Sequence, residues 1–135
     1  MCGRDPRRRE GGVKVIIAGS RDAPKHVLDC LAFVIDQLIN KRWEIDEIVS
    51  GGCAGPDMAG EDWAIVYGVP VKRFDADWKK HGKAAGPIRN REMADYADAA
   101  VVIWDGKSRG SKNMIDEMKK RGKPVEVVIF GAKPA

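Results

Sequence analysis

EIVSGGCAGPD, residues 47–57, decides how this chain is read. EIVS is a short β-branched, apolar run that stops at Gly51 and Gly52, and Pro56 suits the first turn of a following helix. Gly51, Gly52 and Gly55 therefore sit at a strand-to-helix junction. Backbone N–H groups exposed at such a junction form an anion cradle. The stretch is not GxGxxG, and it lacks the GK[ST] ending of a Walker loop.

The same alternation continues in both directions. Upstream, VKVIIA (13–18) reads as a strand, and Leu28, Leu31, Ile35 and Leu38 give helical spacing over 24–40. Downstream, a helix runs from Pro56 to about Tyr67, a strand from Val69 to Phe74 and a loop from Asp75 to Gly86. Pro87 opens a helix to about Tyr96, and DAAVVIW (98–104) is the most apolar strand. A helix from about Ser111 to Arg121 leads to the strand PVEVVIF (124–130). Five strands alternating with four helices predict an α/β fold of βαβ units. The expectation is one Rossmann-like, three-layer domain over 13–135, with a mostly parallel sheet in the order 3-2-1-4-5. Residues 1–12 form a basic tail, expected to be disordered.

Composition fits one domain: 135 residues, 44% hydrophobic and 33% charged. No apolar run approaches the roughly 18 residues of a membrane span, and the first residues carry no apolar signal segment. Cys2, Cys30 and Cys53 form neither CxxC nor zinc spacing, which points to a reducing, cytoplasmic setting, with no metal and no cofactor. The charge is uneven. Residues 1–12 carry +2, residues 13–71 carry −4 and residues 72–135 carry +6. A basic second half suits an anionic partner. Trp and Met residues beyond the needs of one small core leave homo-oligomerisation open.

Ligands of open α/β sheets bind beyond the carboxyl ends of the strands, where the strand order reverses. Four loops meet there. The first carries Gly19-Ser20-Arg21, a tight turn with a hydroxyl and a forked cation suited to phosphate. The second carries Ser50, Gly51, Gly52 and Gly55, then Asp57, which either caps the helix or touches a ribose hydroxyl. Cys53 has no histidine nearby and reads as loop filler. The third carries Trp78, which either stacks on a base or plugs the loop, together with Lys79, Lys80, His81 and Lys83. Arg89 and Asn90 follow in the first turn of the next helix. The fourth, Asp105 to Ser111, repeats the cradle with Gly106, Ser108, Arg109, Gly110 and Ser111.

Together IIAGSR (16–21), SGGCAGPDMAGEDWA (50–64), ADWKKHGKAAGPIRNREMADYADA (76–99) and WDGKSRGSKNMI (104–115) resemble the SLOG superfamily. Within it they are most similar to the branch of small YspA-related proteins of bacteria and phages. The resemblance implies a Rossmannoid fold and a nucleotide-like ligand, with the protein acting as a sensor or a diverged phosphoribohydrolase. By similarity to the DNA-processing members, single-stranded nucleic acid is the alternative partner. LOG-type phosphoribohydrolases carry an Arg before the fourth strand and PGGxGTxxE after it. Arg89 aligns with that Arg, whereas Met114 falls at the Glu position. The resemblance therefore implies weakened N-glycosidase activity, with Arg89 as a catalytic candidate and Asp57, Asp77 or Asp105 as replacement carboxylates.

Overall fold

The first strand shows how the sheet is held. In β1, Val13–Gly19, Val15 and Ile17 point to one face, and Ile16 and Ala18 to the other. Side chains alternate along a strand, so a run that is apolar at every position is buried on both sides. The computed structural model describes residues 13–35 and 44–131. The tail expected over 1–12 and the end of the helix expected over 24–40 lie outside the described residues.

The remaining elements follow in alternation: α1 (Lys25–Val34), β2 (Ile45–Ser50), α2 (Pro56–Tyr67), β3 (Val71–Arg73), α3 (Trp78–His81), α4 (Ala85–Tyr96), β4 (Ala99–Trp104), α5 (Arg109–Lys120) and β5 (Val125–Ile129). The five strands form one sheet in the order β3-β2-β1-β4-β5, and every pairing is parallel. The predicted order is the observed one. On one face Leu31 of α1 and Trp63 of α2 pack on Val15, Ile17, Ile48 and Val101. On the other, Met93 of α4 and Met114 and Met118 of α5 pack on Ile16, Val49 and Val102. Helix α2 approaches β1 so closely that a Cβ on Gly60 would lie 2.6 Å from the Ile17 Cβ. Among the described residues, no helix is long and apolar enough to cross a membrane.

Several boundaries differ from the sequence expectation. Strand β3 is shorter than 69–74 because the Val69 N–H still bonds the Ala64 carbonyl of α2, and Pro70 has no N–H to give. The expected loop 75–86 contains α3 and a 3₁₀ turn, Gly82–Ala84. Its nucleus is Asp77, whose Oδ1 accepts the Lys80 N–H at 3.1 Å. Helix α4 begins two residues before Pro87, which is tolerated because N–H groups in the first turn have no intrahelical acceptor. Helix α5 likewise starts at Arg109 rather than Ser111.

Candidate functional site

Strand order reverses between β1 and β4, and the site is built around that seam. Ser20 N–H bonds the Ile103 carbonyl at 2.8 Å, and the Ser20 hydroxyl accepts the Asp105 N–H at 3.2 Å. Its oxygen also lies 3.5 Å from the Ser111 hydroxyl. Ser20 is thus a buried tie between the loops after β1 and β4. Gly55, with φ 87°, lets the β2 loop pass close to the Ser20 and Arg21 carbonyls.

The two glycine-rich loops hold themselves together before they hold anything else. Gly51 N–H donates to Asp57 Oδ2 at 2.9 Å, and Gly52 N–H donates to the Ser50 hydroxyl at 3.0 Å. Asp105 Oδ1 accepts the N–H groups of Lys107 and Ser108 at 2.8 and 2.7 Å. The Ser108 and Lys107 amides hold the Asp105 carboxyl below the usual range. Much of the expected amide surface is therefore already bonded. The N–H groups of Arg109, Gly110 and Ser111 differ, because they head α5, where no preceding turn supplies carbonyls.

Between these loops lies a cleft of about 240 Å³. Gly19 and Arg21 line it from the end of β1, and Asp57 and Cys53 from the β2 side. Helix α4 contributes Arg89 and Asn90, and the head of α5 contributes Ser108, Gly110 and Ser111. Met93 and Met114 make an apolar wall. Arg89 Nη1 donates to the Gly51 carbonyl at 2.9 Å, and Arg89 Nε donates to Asn90 Oδ1 at 3.2 Å. Asn90 Nδ2 donates to the Gly110 carbonyl at 3.2 Å and to Asn113 Oδ1 at 3.0 Å. Asn90 is therefore a brace that aims Arg89 and fixes the head of α5.

Asp57 is 5% exposed. Burial pushes its carboxyl up to about 6, against the opposing pull of the Gly51 N–H, the Arg89 charge and the Cys53 N–H. Its helix is capped by Gly55 with no side-chain bond, so Asp57 turns toward the Gly51 loop instead of capping.

The other sequence candidates fall outside the cleft lining. Ser50, Gly51, Gly52 and Gly55 shape the β2 loop, and Gly106 (φ 82°) shapes the β4 loop. Arg109 is exposed at the first position of α5. Trp78 is 54% exposed and lies against Gly86. Asp77 is bound to the α3 backbone. Met114, 1% exposed, is the exception and stands in the apolar wall of the cleft. The sequence reading missed the cleft position of Cys53, whose Sγ lies 4.0 Å from both Arg89 terminal nitrogens. It also missed Glu61, which binds Ser50 and Arg73. The signal was available: Asp57 and Glu61 stand four apart on a buried helix face otherwise formed by Pro56, Gly60, Trp63 and Ala64. Among the described residues, no cluster of three or more His, Cys, Asp or Glu could hold a metal ion.

Known proteins share both the sequence and this architecture. The sequence model of the YspA, cpYpsA-related SLOG family matches residues 13–81. Gene 61 protein of Mycobacterium phage D29 is 35% identical over 131 residues, covering 90% of this chain and 98% of that protein. DNA processing protein A (DprA) from Streptococcus pneumoniae superimposes with a TM-score of 0.71 at 23% identity, over 87% of this chain. That likeness is one of fold, and this chain spans 50% of the pneumococcal chain. On the family match and the full-length phage relative, the chain belongs to the YspA, cpYpsA-related SLOG family.

Proposed function

We propose that the cleft binds a nucleotide or a nucleotide-derived phosphate, with the phosphate at the head of α5. One observation carries the proposal: Arg21, Arg89 and the head of α5, whose N-cap Ser108 makes no side-chain capping bond, converge on a single cleft. A helix N-terminus and two guanidinium forks together favour a dianion. The Ser108 and Ser111 hydroxyls add donors at the same end. Asp57, deeper on the β2 side, suits a ribose hydroxyl. The role that fits is a nucleotide sensor. A diverged phosphoribohydrolase would need a carboxylate at the developing oxocarbenium centre. Met114 lines the cleft but carries no charge, so that duty falls to Asp57.

Arg89→Ala tests the proposal. Calorimetric titration with AMP is expected to show a loss of roughly 1.5–3 kcal/mol, the value of a charge-assisted contact. Thermal stability should fall little, because Arg89 is only partly buried. Unchanged AMP affinity in the variant would refute the assignment. Binding of single-stranded nucleic acid is the second reading. Trp78, 54% exposed within a run that also exposes Lys79, Lys80 and Lys83, favours it.

A further inference from the structure

The peptide between Gly51 and Gly52 faces two ways. Its N–H, on Gly52, points to the Ser50 hydroxyl, and its C=O, on Gly51, points to Arg89 Nη1. In a trans peptide the N–H and C=O are antiparallel, so fixing one fixes the other. The Ser50 hydroxyl is in turn fixed, because it donates to Glu61 Oε2 at 2.6 Å. Glu61 is 9% exposed and is held by a two-pronged pair with Arg73, Nη2 to Oε1 at 2.6 Å and Nε to Oε2 at 3.2 Å. The Arg73 stem also lies against Gly52.

We propose that Glu61, clamped by Arg73, is a positioning residue for the ligand cleft: through Ser50 and the Gly51–Gly52 peptide it sets the direction of Arg89. The relay crosses from an ion pair at the β3 edge to the cleft in three hydrogen bonds, none of which reaches the ligand. Two glycines flank the peptide, and Gly52 sits at φ 74°. The backbone itself therefore opposes a peptide flip only weakly, and the orientation depends on its hydrogen bonds. Burial alone would raise the Glu61 carboxyl, but Arg73 and the Ser50 hydroxyl hold it below its usual range, so it stays a charged acceptor. This inference deepens the nucleotide-binding proposal and rests on it only where affinity is measured.

The test uses the full chain with Glu61→Gln and, independently, Ser50→Ala. In the ligand-free protein, nitrogen-15 NMR should show a slowly exchanging Gly52 amide and resolved Arg89 Nη signals. Each substitution is expected to speed Gly52 exchange and to average the Arg89 signals by freeing the guanidinium. With AMP as probe, each should weaken binding about tenfold, the scale of one charge-assisted hydrogen bond. The same substitutions made in Arg89→Ala should cost less than about twofold, because residues acting through one partner are not additive. Arg89 signals unchanged in both variants would overturn the relay, as would losses that simply multiply in the double variants. Absence of AMP binding by the wild type would instead overturn the nucleotide proposal, while the NMR signals still decide the relay.

Discussion

Gly19→Ala is expected to cost on the order of 4 kcal/mol, in the range where a single substitution is diagnostic of one severe clash. A Cβ on Gly19 would lie 2.1 Å from the Ile103 carbonyl oxygen, a backbone atom that cannot swing aside. Relief requires β1 and β4 to part, and these strands pair from Val15–Ala99 to Gly19–Ile103 at the centre of the sheet. For a chain of this length the melting temperature should fall by about 14 °C. Gly110→Ala is the control, since nothing lies within 4 Å of the added carbon. It should be neutral or gain up to about 1 kcal/mol from helix propensity. Circular dichroism melts of the two variants check this. A Gly19→Ala protein that melts within 2 °C or so of the wild type would mean that the seam is looser than described.

Asp57 is expected to give the protein a pH-dependent loss of stability that Asp57→Asn lacks. Its carboxyl is raised from the ordinary 3.8 to about 6, chiefly by burial. A group with a raised folded-state value favours the folded state while protonated. Its contribution is full below about pH 4 and disappears as pH rises through about 6. Two units correspond to about 3 kcal/mol. Asp95, Asp105 and Glu117 are lowered by their partners, so they act in the opposite sense. The informative quantity is therefore the difference between wild type and Asp57→Asn in urea unfolding at pH 4 and pH 7.5. The wild type should lose ground to the variant as pH rises. Parallel curves would place the Asp57 carboxyl in water rather than in the wall of the cleft.

The fold was legible because its determinants are local and periodic. VIIA (15–18) and AAVVIW (99–104) are apolar at every position, which marks strands buried on both faces, and Gly or Pro punctuates many of the changes of element. The cleft was legible in part, since Gly19 ends β1, Arg21 comes two residues later, and Arg89 and Ser111 lie near the starts of the helices on either side of β4. The bonding of the loops was not legible. Turn chemistry allows Ser50 to take the Gly52 amide and Asp105 those of its own turn but does not require it, and no spacing rule shows that Asp57 takes the Gly51 amide. Each side chain would compete with a ligand for the same donors, so the proposed anion site contracts to the head of α5. The α3 turn was missed because Trp78, Lys79, Lys80 and His81 carry no apolar period, and its Asp77 cap is the only local signal. Glu61 and Arg73 are twelve residues apart on different elements, and their pairing is a product of the fold.

The account stands most directly on where a nucleotide touches the chain. The decisive measurement is a proton–nitrogen NMR titration of the wild type with AMP. The expected result is saturable shifts at Arg21, Arg109, Gly110 and Ser111 and at the Arg89 side chain, with the 78–83 segment unmoved. Shifts confined to Trp78, Lys79, Lys80 and Lys83, or none at saturating AMP, would contradict it.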